Sequence, residues 1–381
     1  MEIIVFWDVM PCKPEGNYHC GRGICCCPLQ GMLYDGDCIY CLPDYICHIT
    51  EVTSFQSPLI FVCERVPFQQ VSNIMSTFQD RLRVPWRGGA KQISVDSALP
   101  IVLLPVLVYV AAQSVWCTLL VLLTMLLSMC YLYSVFMRFL PRTKFFFIWT
   151  LTSAVLLLLV FELSVVPFLE IMPQENCVLI GIVILSGMCL YKVRTRAEQN
   201  FVVPANMDEE AELACSVCKR RVPPRTFHCR ICQACVIKRD HHCVWLDCCI
   251  GDKNHRLFVL GALLSAAALV YGAILTLTTV CHPSFYIMET ILLPDDCSDV
   301  YHDFVIALCF VSSVYCLIIA FLLLLLLGHQ CWLITLGMTG QEWRCAQGST
   351  WCAALRSDRP HSRGLLNNWL EFLSCRRPLR E

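Results

Sequence analysis

Long runs without a charged side chain constrain this chain more than any other feature of its sequence. Residues 97–137 contain no charged residue over 41 positions, about twice the roughly 20 apolar residues that cross a bilayer once as a helix. This run predicts two helices, near 97–117 and 118–137, with a turn close to Gln113 and Ser114. Further apolar runs lie at 145–168, 174–191, 257–281 and 304–328. The sequence therefore predicts about six transmembrane helices.

The composition of the whole chain agrees with a protein that lies in a membrane. Hydrophobic residues make up 57% of the 381 residues and charged residues 15%, against roughly 45–50% and 25% in typical soluble proteins. The mean hydropathy is +0.59. A lipid bilayer is therefore an expected partner. The formal net charge of −1 gives no electrostatic reason to expect a nucleic-acid partner.

The distribution of lysine and arginine predicts the orientation of these helices, because basic loops stay in the cytosol. The segment 1–96 contains seven such residues, the loop 138–144 three, the segment 192–256 twelve and the tail 329–381 seven, whereas 169–176 and 282–303 contain none. Both termini and the segment 192–256 are therefore expected in the cytosol, and the loop 282–303 in the lumen. The predicted organisation is a cytosolic cysteine-rich N-terminal region (1–96), four helices (97–191), a cytosolic zinc-binding domain (192–256), two helices (257–328) and a cytosolic tail (329–381).

Eight cysteines and three histidines are concentrated between residues 215 and 249. Closely spaced C-x2-C pairs let two thiolates of one turn reach the same Zn²⁺, and bound metal can supply the folding free energy of so small a segment. Two tetrahedral sites use eight ligands and leave three candidates around the Asp240–Cys243 run and the Cys248–Cys249 pair. A cysteine beside a histidine and a carboxylate is the arrangement that nucleophilic catalysis requires, since the imidazole can generate the thiolate.

The same segment resembles the cysteine-rich domain of the DHHC protein S-acyltransferases over residues 215–258. The likeness lies in the Asp240–Cys243 run, the His-Cys-x2-Cys-x2-Cys pattern before it, and Trp245, Cys249, Gly251 and Asn254 after it. Six spans and the basic stretch 80–86 are similar to one small animal branch of that family. The implied fold is an all-α polytopic membrane protein with a small cytosolic cysteine-rich domain built around two zinc ions.

The resemblance also implies roles for individual residues. One structural zinc would be held by Cys215, Cys218, His228 and Cys235, and the other by Cys229, Cys232, His242 and Cys249. Cys243 would be the nucleophile, His241 the base and Asp240 the carboxylate that orients it. Cys248 is left over as a spare ligand or an inert thiol.

The implied activity is transfer of a long-chain acyl group, palmitoyl, from acyl-CoA to cysteine thiols of membrane-associated proteins through a Cys243 acyl-enzyme, in the Golgi or endoplasmic reticulum. The CoA phosphates have candidate partners in Lys238, Arg239, Lys253 and Arg256. The acyl tail is expected between the spans, with its end near Tyr271, Gly272, Tyr315, Ile180 or Gly181. Two alternatives are a non-enzymatic zinc-containing membrane scaffold and a membrane RING-type ubiquitin ligase, although the order of the ligands disfavours the ligase.

Several positions depart from the family pattern. Val244 stands where proline usually follows the nucleophile, Asp247 and Cys248 precede Cys249, and Gly340 replaces the second threonine of a Thr-Thr-x-Glu motif at 339–342. These changes predict a tuned rate or specificity and not an inactive enzyme. The residues Gly364, Asn368, Trp369 and Phe372 resemble the C-terminal motif of the family.

A second group of cysteines lies near the N-terminus, and its chemistry is open. One interpretation is a small zinc site using Cys38, Cys41 and Cys47 or His48. A second is a set of acylation sites at Cys25–Cys27 that draws the segment onto the membrane. A third is a disordered segment with incidental cysteines.

Overall fold

A computed structural model describes residues 83–86, 89–92, 94–139, 143–202, 213–287, 291–346 and 361–374. The N-terminal cysteines from Cys20 to Cys47 lie outside these residues. Six apolar helices dominate the described part of the chain. Their bounds are α1 Val95–Ala111, α2 Val115–Phe139, α3 Phe145–Val160, α4 Pro173–Thr195, α5 His255–Val280 and α6 Phe304–Leu336. Helix α3 continues through a π-helical turn, Phe161–Val165, into a last turn at Val166–Phe168.

Five helices, α2 to α6, are long and apolar enough to cross a membrane. Helix α1 has 17 residues and rises about 25 Å, slightly less than the roughly 30 Å hydrocarbon core of a bilayer. The turn between α1 and α2 lies at residues 112–114. The uncharged run 97–137 is therefore two helices, as predicted, but the first ends six residues before the expected position 117.

Helix α6 also differs from its predicted bounds, since it continues eight residues beyond position 328 to Leu336. Asp303 caps its start, because its side chain accepts hydrogen bonds from the backbone N–H groups of Val305 and Ile306. Gly337 follows its last residue and has a φ of 72°, the left-handed conformation that commonly closes a helix. The turns of α6 after position 328 contain polar residues and extend beyond the predicted membrane span.

The helices form one packed bundle whose outer surface is apolar. Helix α5 packs against α4 and α6, and α1 packs against α2 and α3. Large apolar side chains such as Trp116 (77% exposed), Leu163 (67%) and Tyr191 (70%) point away from the bundle. Exposed apolar surface of this extent is what a lipid environment accommodates.

The segment between α4 and α5 folds into three short hairpins. Strands β1 (Arg83–Trp86) and β2 (Gly89–Gln92) pair before α1. In the segment after α4, β3 (Leu213–Ala214) pairs with β4 (Arg221–Val222), β5 (Thr226–Cys229) with β6 (Ala234–Ile237), and β7 (His241–Cys243) with β8 (Cys248–Ile250). Two-stranded hairpins of this length are not stable alone in water. This domain therefore needs a further source of stability. The mostly helical class is confirmed, with these hairpins as an addition that the sequence analysis did not predict.

A further hairpin forms between α5 and α6. Its strands are His282–Ile287 and Ile291–Asp296, and a disulfide joins Cys281 to Cys297 at its base. Neither cysteine was assigned a role from the sequence. The available signal was that Cys281 precedes, and Cys297 lies within, the loop 282–303 that is predicted to be lumenal, where disulfides form.

Two short helices follow α6 in the described part of the chain. Helix α7 spans Gly340–Ala346 and helix α8 spans Leu365–Leu373. Helix α8 docks on the end of α6, because the Trp369 Nε1–H donates to Thr335 Oγ1 (3.0 Å) and the Asn368 side-chain amide donates to the Thr335 carbonyl (2.9 Å). The opposite side of α8 exposes four leucines: Leu365, Leu366, Leu370 and Leu373.

Candidate active site

Two Cys3His quartets come together in the hairpin domain with the membership expected from the sequence. Cys215, Cys218, His228 and Cys235 form the first quartet, and Cys229, Cys232, His242 and Cys249 form the second. In each quartet the ligand atoms lie within 4.8 Å of one another. The Cys218 and Cys235 sulfurs are 3.3 Å apart, and the Cys232 sulfur is 3.3 Å from His242 Nδ1. Two sulfurs on one tetrahedral zinc are about 3.8 Å apart, so both quartets fit zinc ions.

The turns that carry the cysteines are strained in a way that a metal explains. Lys219 and Gln233, which follow the C-x2-C pairs ending at Cys218 and Cys232, have φ values of 57° and 54°. Non-glycine residues adopt this left-handed conformation at a cost and keep it when the surrounding structure fixes it. Ligation of both cysteines of a pair by one ion would fix these turns.

The alternation of side chains along a strand explains why the two quartets interleave. Adjacent residues of a strand point to opposite faces, so His228 and Cys229 of β5 belong to different quartets. Each quartet also contains one directly paired cross-strand couple, His228 with Cys235 and His242 with Cys249. Formation of the two hairpins therefore brings half of each ligand set together before the remaining turns close.

The same alternation in β7 separates His242 from its neighbours. His242 faces the second quartet, whereas His241 and Cys243 lie on the opposite face, two positions apart and about 6.6 Å along the strand. All three are buried, with exposures of 5%, 2% and 2%. The hairpin thus places a histidine and a cysteine together on a face that is not used by metal ligands.

Asp240 holds His241 by a hydrogen bond. His241 Nδ1 is 2.7 Å from Asp240 Oδ2, and the His241 ring lies edge-on to Phe258 at 5.2 Å. Burial disfavours the Asp240 carboxylate, but the hydrogen bond from His241, the nearby imidazoles of His255 and His241 and the Gly340 N–H outweigh it, so the pKa of Asp240 lies well below its usual range. Asp240 is therefore ionised and keeps a proton on His241 Nδ1, which leaves Nε2 as the basic nitrogen.

Cys248 lies beside Cys243 and belongs to neither quartet. The two residues are direct cross-strand partners, and both pack in one apolar cluster with Val193, Leu246, Ile250 and Phe258. Burial and the neighbouring Cys243 raise the pKa of the Cys248 thiol. Cys248 shares the hairpin face of Cys243 and is not among the ligand atoms of either quartet, so its assignment as an inert thiol stays a prediction.

The segment 339–342 packs directly on Asp240. The Gly340 N–H donates to Asp240 Oδ1 at 2.6 Å, and a Cβ atom at Gly340 would lie only 3.1–3.2 Å from the Asp240 oxygens. Thr339 and Glu342 bond each other reciprocally, as in a capping box, and Glu342 also forms a two-pronged ion pair with Arg225 at 2.6 and 2.7 Å. A backbone donor therefore contacts Asp240 where the second threonine is missing.

Val244, which stands where proline is usual, is a packing residue. It is buried and belongs to the cluster formed by α1, α2, α3 and α6, which includes Leu104, Phe146 and Tyr315. Its neighbour Trp245 lies edge-on to Phe146 at 5.0 Å. The turn after Cys243 is therefore fixed by apolar packing against the membrane helices.

The four basic residues considered for CoA phosphates separate in the structure. Lys238 and Arg256 line an open cleft between the hairpin domain, the end of α6 and α8. Arg239 is 5% exposed and donates to Gln341. Lys253 and Lys238 both pair with Asp252, at 3.1 and 3.3 Å, but Lys253 does not line the cleft. Lys238 and Arg256 are thus the two that face a common cleft.

Sequence reasoning missed three polar residues around Asp240. Gln330 of α6 donates to Asp240 Oδ2 (3.0 Å), Arg344 donates to the Asp240 carbonyl (3.1 Å), and His255 bonds the other end of Gln330 (2.7 Å). Spacing could not reveal these contacts, because Gln330 is 90 residues from Asp240. The available signal was the polar pair His329–Gln330 within an otherwise apolar stretch.

The fold and the site define a class of protein. It is a multi-pass membrane protein that carries two zinc-fitting quartets and a buried Asp-His-Cys group between two of its helices. Residues 208–347 match the family model of the DHHC palmitoyltransferases. The chain is 32% identical to palmitoyltransferase ZDHHC23-B of Danio rerio over 80% of this chain and 82% of that protein, and 27% identical to palmitoyltransferase ZDHHC23 of Mus musculus over 81% and 84%. The chain belongs to the DHHC palmitoyltransferase family, and it is a protein S-palmitoyltransferase. The ubiquitin-ligase and scaffold alternatives are therefore set aside.

Proposed function

We propose that the chain transfers a palmitoyl group from palmitoyl-CoA to cysteine thiols of membrane-associated proteins through an acyl-enzyme on Cys243. The Cys243 thiolate attacks the thioester carbonyl, the bond to the CoA sulfur breaks, and CoA leaves as a thiol. A substrate thiolate then attacks the acyl-Cys243 carbonyl and releases the Cys243 thiol. His241 Nε2 takes the proton from each attacking thiol and returns it to each leaving sulfur.

The observation that carries this proposal is the division of β7 between its two faces. His242 faces a complete metal-ligand quartet, so zinc ligation requires neither His241 nor Cys243. The Asp240–His241 hydrogen bond of 2.7 Å sets the tautomer that a base for Cys243 needs. Zinc, when bound, joins the hairpins and contributes folding free energy.

The position of the site supports an acyl-CoA donor and substrates held at the membrane. The hairpin domain lies between α4 and α5, and the residue after Cys243 packs into the apolar bundle. An acyl chain gains roughly 0.8 kcal/mol for each methylene group removed from water, so its tail would lie in the bundle. The CoA phosphates would face Lys238 and Arg256. Residence in the Golgi or endoplasmic reticulum follows from the family resemblance.

Incubation of the purified protein with labelled palmitoyl-CoA tests the proposal. We expect a covalent adduct that hydroxylamine releases, because a thioester is the product on Cys243. A protein with both zinc ions bound that forms no such adduct would overturn the proposal.

The loop 282–303 is expected in the lumen. It contains no lysine or arginine, and a disulfide at its base requires an oxidising compartment. A glycosylation acceptor inserted beside the exposed Asp299 should be modified in cells, and an acceptor inserted near Arg142 should not. Modification at Arg142 alone would reverse the proposed topology.

Tyr315 is the residue that we expect to limit the length of the acyl chain. It lies 15 positions before Gln330 on α6, about 22 Å along the helix, which matches a 16-carbon chain. Its hydroxyl accepts from Trp149 Nε1 (3.1 Å) and bonds Ser153 Oγ (2.9 Å), so three side chains close this end of the core. The other candidates are less suitable, since Gly272 faces Leu179 and Gly181 has no neighbour within 4 Å of an added Cβ.

Replacement of Tyr315 by alanine should shift the preference of autoacylation toward acyl-CoAs longer by about two methylene groups. Burial of a methylene group is worth about 0.8 kcal/mol, so the ratio of C18 to C16 adduct should rise roughly tenfold. Competition between labelled acyl-CoAs measures this ratio, and Gly181→Phe is the control that should not change it. An unchanged ratio in a Tyr315→Ala enzyme that still autoacylates would contradict the buried-tail geometry.

A further inference from the structure

Gln330 connects the candidate catalytic carboxylate to a second histidine. The residue is 2% exposed, near the cytosolic end of α6. Its Nε2 lies 3.0 Å from Asp240 Oδ2, and its Oε1 lies 2.7 Å from His255 Nε2. Three segments distant in the chain thus meet through one buried amide.

The placement of the Gln330 amide gives the direction of each hydrogen bond in this series. Gln330 Nε2 faces Asp240 Oδ2 and Gln330 Oε1 faces His255 Nε2, so the amide donates to the carboxyl group and accepts from the histidine. His255 Nε2 must then carry the proton that it donates to Gln330. Asp240 Oδ2 receives N–H groups from Gln330 and His241, and Oδ1 receives the Gly340 N–H.

The other side of His255 contacts the C-terminal helix. The His255 ring lies edge-on to Phe372 of α8, with ring centroids 5.2 Å apart. Helix α8 is itself fixed to α6 by the two bonds to Thr335. A continuous series of contacts therefore runs from α8 through His255 and Gln330 to Asp240.

We propose that Gln330 is a positioning residue for acyl transfer, held in place by His255, and that the docked C-terminal helix supports Asp240 through this pair. The inference rests on the proposed function, in which Asp240 orients His241. A neutral amide suits this task because it fixes one carboxylate oxygen without bringing a competing full positive charge to the partner of His241. Without Gln330, Asp240 Oδ2 would keep its hydrogen bond with His241 but lose the donor that fixes the rotation of the Asp240 carboxylate.

Replacement of Gln330 by leucine removes both bonds while nearly conserving the side-chain volume. We expect the single-turnover rate of Cys243 acylation at saturating palmitoyl-CoA to fall about 10- to 100-fold, the range for a lost hydrogen bond to a buried charged group. The zinc content and the palmitoyl-CoA concentration for half-maximal rate should not change. Exposed Gln174 offers the matched control, since Gln174→Leu makes the same chemical change away from the site.

Two further variants separate positioning from a general structural role. Gln330→His can donate to Asp240 from one ring nitrogen and accept from His255 with the other, so it should restore most of the rate. His255→Phe keeps the ring contact with Phe372 but loses the donated hydrogen bond, and it should slow acylation by less than Gln330→Leu does. In the double variant the two losses should not add, because His255 acts through Gln330.

The outcomes distinguish this inference from the proposed function. If the wild-type enzyme forms no adduct on Cys243, the proposed function fails and this inference fails with it. If the wild-type enzyme forms the adduct and Gln330→Leu forms it at the same rate, the inference alone is wrong. It is also wrong if the losses in the double variant add fully. If Gln330→Leu loses zinc, the acylation rate of the zinc-loaded His255→Phe enzyme becomes the test. A wild-type acylation rate in that variant would show that the Gln330–His255 pair does not support acyl transfer.

Discussion

Replacement of Cys243 by serine should abolish the acyl-enzyme and leave both zinc ions bound. The two quartets contain eight ligands without Cys243, so the domain should fold normally. A serine hydroxyl in this environment is a far weaker nucleophile than a thiolate. Adduct formation from labelled palmitoyl-CoA and zinc stoichiometry should be measured on the same preparation.

The hairpin offers two matched controls for this experiment. Cys248 is the direct cross-strand partner of Cys243 but belongs to neither quartet, so Cys248→Ser should keep both zinc ions and the adduct. Cys249 is the next residue and belongs to the second quartet, so Cys249→Ser should weaken zinc binding. Loss of a zinc ion from Cys243→Ser would make Cys243 a ligand and reject the assignment.

Alanine substitutions of His241 and His242 should differ in kind although the residues are adjacent. His242 Nδ1 lies 3.3–3.8 Å from three cysteine sulfurs, so His242→Ala should release the second zinc and unfold the hairpins. His241 bonds Asp240 on the other face, so His241→Ala should slow acylation about 10²–10⁴-fold, as loss of a general base does. The fold and both zinc ions should remain.

Zinc content and limited proteolysis provide the test of this difference. His241→Ala should match the wild-type protein in both measurements, and His242→Ala in neither. Equal zinc loss from the two variants would mean that the faces of β7 are not divided between metal binding and catalysis. Wild-type acylation rates in His241→Ala would remove that residue from the mechanism.

The family departures near the site have local structural explanations. The Gly340 N–H reaches Asp240 at 2.6 Å, so the missing threonine leaves the carboxylate with a donor. Val244 fills a position in the apolar core beside the membrane helices, where packing can fix the turn that a proline would stiffen. The tuned rate or specificity expected from these departures stays a prediction.

The sequence by itself determined the membrane helices and the candidate metal ligands, because both depend on local patterns. Uncharged runs specify burial in lipid, and C-x2-C spacing places two thiolates in one turn. The division between zinc ligands and catalytic residues was reached through the family resemblance. Its physical basis, the alternation along β7, became visible once that segment was known to be a strand.

Only the tertiary structure decided what surrounds Asp240 and where the helices end. The end of α6 at Gly337, and not at 328, carries Gln330 to Asp240. The pairing of His255 with Gln330, the contact of Gly340 with Asp240 and the disulfide between Cys281 and Cys297 likewise join residues through space. Such contacts depend on the relative placement of packed helices, and neither hydropathy nor residue spacing along the chain contains that information.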